Sequence, residues 1–219
     1  SLRETGKDLA EKKEVLEDLK NDRKHYDQKL KKARSQLEAA LTNLYGKKVS
    51  VSVFADLFDI TDEKWKNAVE GRLGRLKYSL VTAPEYAHDA AKLFRRMKQY
   101  QEIDLINTAA LKRDEPTAQS GTLYETVRTE EAYVDLCLKR YLGRIVKCET
   151  VEELDQVRDG VTPDCYSYSN YMFRHLREAD YTTRACIGTK VSKEKLQELT
   201  DEVFRLEKEY QESIHLRDS

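Results

Sequence analysis

Leucine returns at every seventh position through the opening of the chain, at Leu2, Leu9, Leu16, Leu30, Leu37 and Leu44, with only Arg23 out of step. The second seam position, three residues on, holds Thr5, Lys12, Leu19, Tyr26, Ala33 and Ala40. An apolar repeat averaging 3.5 residues specifies a supercoiled helix that must meet a partner along its seam. No proline interrupts the repeat, and Gly46 stands where a helix C-cap belongs. The pattern therefore predicts one continuous arm over residues 1–46, about 65 Å long at the usual helical rise. Residues 191–219 repeat the theme: Leu196, Leu199, Val203, Leu206, Tyr210 and Ser213 step by alternating threes and fours, with Ser192 placed as N-cap.

The two ends carry opposite net charge, positive over residues 1–48 and negative over 191–219. Opposite-sign arms around an insert predict an antiparallel pair within one chain; the other arrangement lays each arm on the insert as an ordinary amphipathic helix. Matching the seams places Leu41 beside Leu199, Leu37 beside Val203, Ala33 beside Leu206 and Leu30 beside Tyr210. Residues 1–20 are then left to fray or to pair with another molecule.

Residues 47–190 read as an α+β domain. Charged residues make up 36% of the chain and hydrophobic ones 39%, with 8 Gly and 3 Pro. That balance suits exposed helices beside a modest core and excludes an all-β sandwich, which needs many Gly/Pro turns. Val49 to Phe54 alternates as a strand. Residues 62–73 form an amphipathic helix, capped by Asp62 or Thr61, with Trp65, Ala68, Val69 and Leu73 inside and Gly74 ending it. Strands are expected over 78–82, 103–106, 144–148 and 183–187. Helices are expected over 85–100, over 129–141 (burying Ala132, Tyr133, Leu136 and Cys137) and over 151–157 behind Thr150. The polar stretch 112–122 is the expected subdomain boundary.

Signals for chemistry are sparse. Cys137, Cys148, Cys165 and Cys186 form no C-x-x-C pair, and His25, His88, His175 and His215 form no H-x-x-x-H, so neither zinc nor another metal is expected. Four free thiols fit a reducing compartment. No apolar run reaches 18 residues and no apolar h-region follows the N-terminus, so neither a membrane span nor a signal peptide is expected. The chain opens inside its own repeat, which predicts a piece of a longer protein. No phosphate-binding glycine motif occurs, because Gly71 and Gly74 follow a helix and do not open one. Arg72, Arg75, Lys77, Arg95, Arg96 and Lys98 form one basic concentration and Lys139, Arg140, Arg144 and Lys147 another. Either contacts nucleic-acid phosphates or is simply a solvated face. Tyr166, Tyr168, Tyr171 and Phe173 fall close together, as partner anchors or as core.

A globular insert between complementary coiled-coil arms, without a zinc hook, is the layout of an SMC hinge. Ala55-Asp-Leu-Phe-Asp-Ile-Thr-Asp-Glu-Lys-Trp-Lys-Asn-Ala-Val-Glu-Gly-Arg-Leu-Gly, followed by Tyr78-Ser-Leu-Val-Thr-Ala-Pro-Glu-Tyr, resembles the first hinge half of MukB-like and Wadjet-type bacterial SMC proteins. Tyr141-Leu-Gly-Arg-Ile-Val resembles the turn and strand of the second half, and Cys186-Ile-Gly-Thr-Lys-Val-Ser-Lys-Glu-Lys-Leu the step that restarts the coiled coil. The resemblance implies an SMC-hinge-like domain of two mixed-sheet subdomains, flanked by helices in an intramolecular antiparallel coiled coil.

For function, the resemblance implies a homodimer through the hinge, not an enzyme, in a condensin-like, cytoplasmic and nucleoid-associated complex with non-SMC subunits. Such a complex acts on DNA in chromosome segregation or plasmid defence. ATP and Mg belong to the heads of the parent ATPase, and this stretch holds no cofactor. The family joins hinges by sheet edges, and the edges expected here are Arg144, Ile145, Val146, Lys147 and Cys148, with Arg184, Ala185, Cys186, Ile187 and Gly188. The competing readings are a weak DNA-binding module that does not dimerise, gripping phosphates with the first basic concentration, and a small enzyme domain carried on coiled coils.

Overall fold

The computed structural model describes residues 1–21, 24, 26–188 and 193–218. The seam position Arg23 and the expected cap Ser192 lie outside the described residues. In chain order the elements are α1 (Leu2–Lys20), α2 (Gln28–Tyr45), β1 (Ser52–Val53), β2 (Asp59–Ile60), α3 (Lys66–Leu73), β3 (Leu80–Val81), α4 (Pro84–Arg95) and α5 (Thr108–Asp114). There follow β4 (Val127–Arg128), α6 (Ala132–Leu142), β5 (Val146–Lys147), α7 (Val151–Asp155), β6 (Asp159–Val161), β7 (Tyr166–Ser169), β8 (Met172–His175), α8 (Glu178–Tyr181) and α9 (Lys193–Asp218). The chain divides into two units, Ser1–His25 with Thr189–Ser219, and Tyr26–Gly188.

The first unit is an antiparallel helix pair. Leu9, Leu16 and Leu19 of α1 bury against Leu199, Val203 and Leu206 of α9, flanked by Val15, Leu196 and Tyr210. Gly6 lies beneath the Tyr210 ring, where an added β-carbon would stand 3.1 Å from the ring edge. Lys13 reaches Glu207 at 2.8 Å and Lys12 reaches Glu202 at 3.6 Å, so the opposite charges of the arms do meet. The register differs from the expected one. Residues 1–20, expected to lack a partner, are the ones that pair, whereas Leu30, Ala33, Leu37 and Leu41 face the other unit's core.

The reason is a second helix start that a heptad count does not register. The Asp27 carboxylate accepts the Lys29 N–H at 2.7 Å and starts a second helix in place of a continuous arm. The α2 stripe Leu30, Ala33, Leu37 and Leu41 is at most 5% exposed and joins Val49, Val51 and Ala90 in the core of Tyr26–Gly188. A seam needs apolar cover, and the flank of a globular domain supplies it as well as a second helix does.

Within Tyr26–Gly188 the sheets are small. β1 pairs antiparallel with β3, and Leu105 adds a parallel bridge to Leu80. β2 pairs antiparallel with β4. The third sheet is mixed, in the order β5-β6-β7-β8, with β5 parallel to β6 and the rest antiparallel. Local signals around α3 act as read: the Asp62 carboxylate caps the turn leading into it, Ala68, Val69 and Leu73 are buried, and Gly74 ends it at φ 51°. Thr150 caps α7 by accepting the Glu153 N–H at 3.1 Å.

Further expectations fail. α5 occupies part of the expected loop, started by the Asn107 side chain on the Ala110 N–H. α6 buries Val134, Cys137, Leu138 and Leu142, a face rotated from the expected one, and leaves Ala132 exposed. No strand forms over 183–187. The architecture is nonetheless the α+β hinge-like arrangement: mixed small sheets in a globular unit, with flanking helices in an antiparallel pair.

Candidate oligomerisation surface

Neither stretch expected at a dimer edge is open to a second chain. β5 is bonded on both sides. Val146 and Lys147 pair with Gly160 and Val161 of β6. On the opposite side the Leu123 N–H donates to the Ile145 carbonyl at 2.9 Å, and the Lys147 N–H to the Gly121 carbonyl at 2.9 Å. Ile145 and Cys148 are buried. Gly143 does permit a close approach, but the neighbour is Ala118, whose Cα would lie 2.8 Å from a β-carbon added there. Arg144 is exposed beside this inner strand.

Residues 184–188 are instead held in a socket. The Cys186 and Ile187 N–H groups donate to the Glu70 carboxylate at 2.8 and 2.9 Å, and the Gly188 N–H donates to the Ala55 carbonyl at 3.2 Å. Glu70 is 1% exposed, and its counter-charge Lys77 is fully buried at 3.8 Å. The Lys77 ammonium also donates to the backbone carbonyls of Glu70 and Asp180. Arg184 lies over the Tyr78 ring, 5.1 Å from its centroid, and the Tyr78 hydroxyl donates to the Arg184 carbonyl. Tyr26 meets the same ring edge-on at 6.1 Å and donates to Asp56 at 2.5 Å. Burial pushes the Tyr26 and Tyr78 phenols well above their ordinary range, so both stay neutral donors.

The open edge is β8. Asn170 and Tyr171 occupy the two-residue turn between β7 and β8 with φ of 49° and 61°, the signature of a type I′ hairpin. The flanking pair Ser169–Met172 is therefore hydrogen-bonded, and alternation makes Ser167–Arg174 the next such pair. The Leu176 N–H donating to the Cys165 carbonyl at 3.0 Å continues the same alternation. The N–H and C=O groups of Phe173 and His175 consequently point away from β7, where no described residue meets them. All four residues of β8 are exposed, and Tyr171 at the tip is 92% exposed. Met172 and Phe173 are exposed large apolar residues. On one face Tyr166 stacks on Phe173 (5.8 Å), Tyr168 packs against Phe173 (4.7 Å) and Tyr166 against His175 (4.9 Å). A second, shorter edge is open at Leu105. Leu80 uses the Asp104 carbonyl and the Ile106 N–H (2.9 and 3.0 Å), so the N–H and C=O of Leu105 turn outward.

The first basic concentration is split. Arg72 forms a two-pronged ion pair with Asp159 at 2.6 and 3.0 Å, linking α3 to β6, and its side chain is 11% exposed. Lys77 is buried as described, so neither it nor Arg72 faces a phosphate. The partner of Arg72 and one of those of Lys77, Asp180, lie far along the chain, whereas Glu70 stands one helical stretch before Lys77. Arg75 is exposed and paired with Asp104 at 3.0 Å. Arg95, Arg96 and Lys98 are exposed at the end of α4 and the turn after it. In the second concentration Lys139 pairs with Asp135 and Lys147 with Glu125. All four cysteines are free and buried. Among the described residues no group of three or more His, Cys, Asp or Glu is placed to hold a metal ion, and no helix is long and apolar enough to cross a membrane.

No family model and no curated protein matches the sequence. Solved structures do match the fold. The hinge domain of Geobacillus stearothermophilus SMC, solved as an asymmetric dimer, aligns over 100% of this chain and 94% of its own, with 17% identity and a TM-score of 0.53. The Pyrococcus furiosus Smc hinge domain with an extended coiled coil aligns over 99% of this chain and 80% of its own, with 19% identity and a TM-score of 0.50. The chain therefore has the fold of an SMC hinge with flanking coiled coil.

Proposed function

We propose that this chain is the dimerisation hinge of an SMC-type protein, and that β8 is the strand through which it dimerises. The open edge at Phe173 and His175, bordered by Tyr171 and Met172, carries the reading. Unpaired strand groups beside exposed aromatic side chains invite another edge, and a two-fold dimer satisfies them. The second edge at Leu105 sets the arrangement: β8 of each copy adds to the Leu105 edge of the other. Pairing β8 with its own copy across Arg174 would oppose like charges and leave the Leu105 edges open. A fold shared with a hinge solved as a dimer supports the reading.

On this reading the parent is an ATPase whose heads hold ATP and Mg. It works with non-SMC subunits on DNA, in chromosome segregation or in plasmid defence of the MukB-like or Wadjet type, at the nucleoid. Sedimentation equilibrium at micromolar protein tests the dimer, with a mass near twice 25.5 kDa expected. Phe173→Pro deletes an outward N–H without touching the bonds to β7, and should leave a folded monomer. A wild-type monomer up to about 100 μM, a weaker association than stable interfaces of ordinary size show, refutes the proposal.

The second reading, a DNA-binding module, rests on exposed Arg95, Arg96 and Lys98. Non-specific phosphate contacts predict Kd values of roughly 10⁻⁴–10⁻⁶ M, falling steeply in strength with salt. Replacing all three with Glu should weaken DNA binding, and unchanged binding discards the patch as a DNA contact.

A further inference from the structure

Two strand edges can be joined in only a few registers, and the outward backbone groups reduce these to three. Phe173 and His175 turn their N–H and C=O groups away from β7, and Leu105 turns its own away from Leu80. In an antiparallel junction, outward-turned residues face each other and exchange both bonds, so Leu105 of one copy faces Phe173 or His175 of the other. A parallel junction sets Leu105 beside Arg174.

The side chains separate the three. With Leu105 opposite His175, Phe173 meets Asn107, whose carbonyl already accepts the Leu111 N–H at 3.2 Å and whose side chain caps Ala110 at 3.0 Å. Arg174 then lies opposite Ile106, which is 5% exposed. The parallel junction sets the Arg174 guanidinium against the Leu105 side chain and Asp104 beside Phe173. With Leu105 opposite Phe173, two apolar side chains meet, Asn107 falls opposite Tyr171 in the hairpin turn, and Arg174 falls opposite Asp104. Arg174 and Asp104 then form a non-hydrogen-bonded pair, with Cα atoms about 4.5 Å apart and both side chains on one face.

Both charges are available for such a contact. Arg174 is exposed and forms no ion pair with a described residue. Asp104 gives one oxygen to Arg75 at 3.0 Å, and both side chains of that pair are more than half exposed. A pair so open to water contributes little, and a carboxylate accepts a second guanidinium on its other oxygen. Glu102, the other carboxylate near this edge, is held by Lys29 at 2.6 Å.

We infer that Leu105 of one copy faces Phe173 of the other in an antiparallel junction, and that the Arg174–Asp104 ion pair across it selects this register. This rests on the edge-to-edge reading above and adds the residues that set its specificity. A two-fold dimer makes the pair twice. Opposite charges across two strands favour their own register, and like charges penalise the self-pairing of β8.

Charge exchange between two chains tests this by sedimentation equilibrium. Arg174→Asp and Asp104→Arg, each alone, place like charges at both junctions and should weaken the dimer about tenfold. An equimolar mixture of the two should recover most of that loss, because both junctions of the mixed dimer again join opposite charges. Both positions are exposed, and near-native Trp65 emission checks folding. If the variants and their mixture all dimerise like wild type while Phe173→Pro gives monomer, the register is wrong and the edge dimer stands. If each variant is weakened and the mixture is no stronger, the two residues do not face each other and the inference fails. Cysteines read the register independently of charge. Arg174→Cys chains mixed with Asp104→Cys chains should form a disulfide-linked dimer under mild oxidation, since about 4.5 Å between Cα atoms suits a disulfide. A link formed instead with Leu105→Cys chains shows a parallel junction, and one formed by Arg174→Cys chains alone shows β8 paired with itself; either overturns the inference. A wild-type monomer removes the edge reading and this inference together.

Discussion

Glu70 should be the side chain whose loss most damages the globular unit. It is 1% exposed, accepts the N–H groups of Cys186 and Ile187 at 2.8 and 2.9 Å, and stands 3.8 Å from the fully buried Lys77 ammonium. Glu70→Ala leaves two backbone donors and one buried charge without their acceptor. Removing one member of a buried ion pair costs about 3–5 kcal/mol, because the other charge stays desolvated. The backbone donors place this site at the upper end, about 5 kcal/mol, against a total stability of about 5–15 kcal/mol for a folded domain. Glu70→Gln keeps one oxygen acceptor and should cost about 2 kcal/mol, close to the value of a charged hydrogen bond. Adding Lys77→Met to Glu70→Ala should return at least 1 kcal/mol or so, since the orphaned ammonium is gone. Trp65 is the single tryptophan and is 5% exposed in this unit, so its emission during urea unfolding follows the globular unit without the helical arms. Amide exchange at Cys186 and Ile187 should accelerate in parallel. A loss below about 1 kcal/mol for Glu70→Ala, with the denaturant slope unchanged, would refute the argument.

Three further outcomes follow from other parts of the molecule. Burial holds the Cys137 thiol up to about 12 from an ordinary 9.0, so its contribution to stability is complete below pH 9 and drains away between pH 9 and 12, as the unfolded thiol ionises first. Iodoacetamide at pH 8.5 should accordingly leave Cys137 unmodified in native protein and label it once urea unfolds the chain, and native labelling would contradict its burial. Tyr171 sits at φ 61° with 92% of its surface exposed, so Tyr171→Gly should raise the Trp65 unfolding midpoint by an amount worth about 1 kcal/mol while weakening the dimer; a lower midpoint argues against the I′ turn. Cysteines at Leu16 and Val203, both buried in the helix pair, should cross-link within one chain under mild oxidation, whereas cysteines at Leu37 and Val203 should not; the reverse result restores the original register.

What could be read from the sequence was local. Asp62, Thr150, Gly46 and Gly74 mark helix ends through bonds made within a few residues, and all four act as read. The arm register could not be read, because Leu30, Ala33, Leu37 and Leu41 show the same spacing whether a helix or a domain core covers them. Strand propensity marks 144–148 as extended but carries nothing about neighbours, and its neighbours turned out to lie on both sides. Residues 183–187 read as a strand because Ala185, Cys186 and Ile187 are apolar; the amides of Cys186 and Ile187 go to a carboxylate more than a hundred residues earlier. The β8 edge did have a readable signal. Tyr166-Ser-Tyr-Ser and Met172-Phe-Arg-His flank an asparagine turn, a short-range hairpin pattern, and Tyr166, Tyr168, Tyr171 and Phe173 cluster at the same place.

The Tyr78 ring gathers residues from near both ends of the globular unit. The chain crosses into the globular unit at Tyr26 and leaves it at Gly188, and both crossings are fixed to one ring: Tyr26 edge-on at 6.1 Å and Arg184 over the face at 5.1 Å. Past Arg184 the chain is held again, by Glu70 at Cys186 and Ile187 and by the Ala55 carbonyl at Gly188. The β8 edge lies in a sheet joined to α3 by the Arg72–Asp159 pair. Glu70→Gln, the milder change, loosens the socket and keeps the unit folded. Faster exchange at Cys186 and Ile187 with an unchanged dimer Kd is the expected outcome, and a dimer Kd that rises with the exchange rate would show that the socket and the edge are one device.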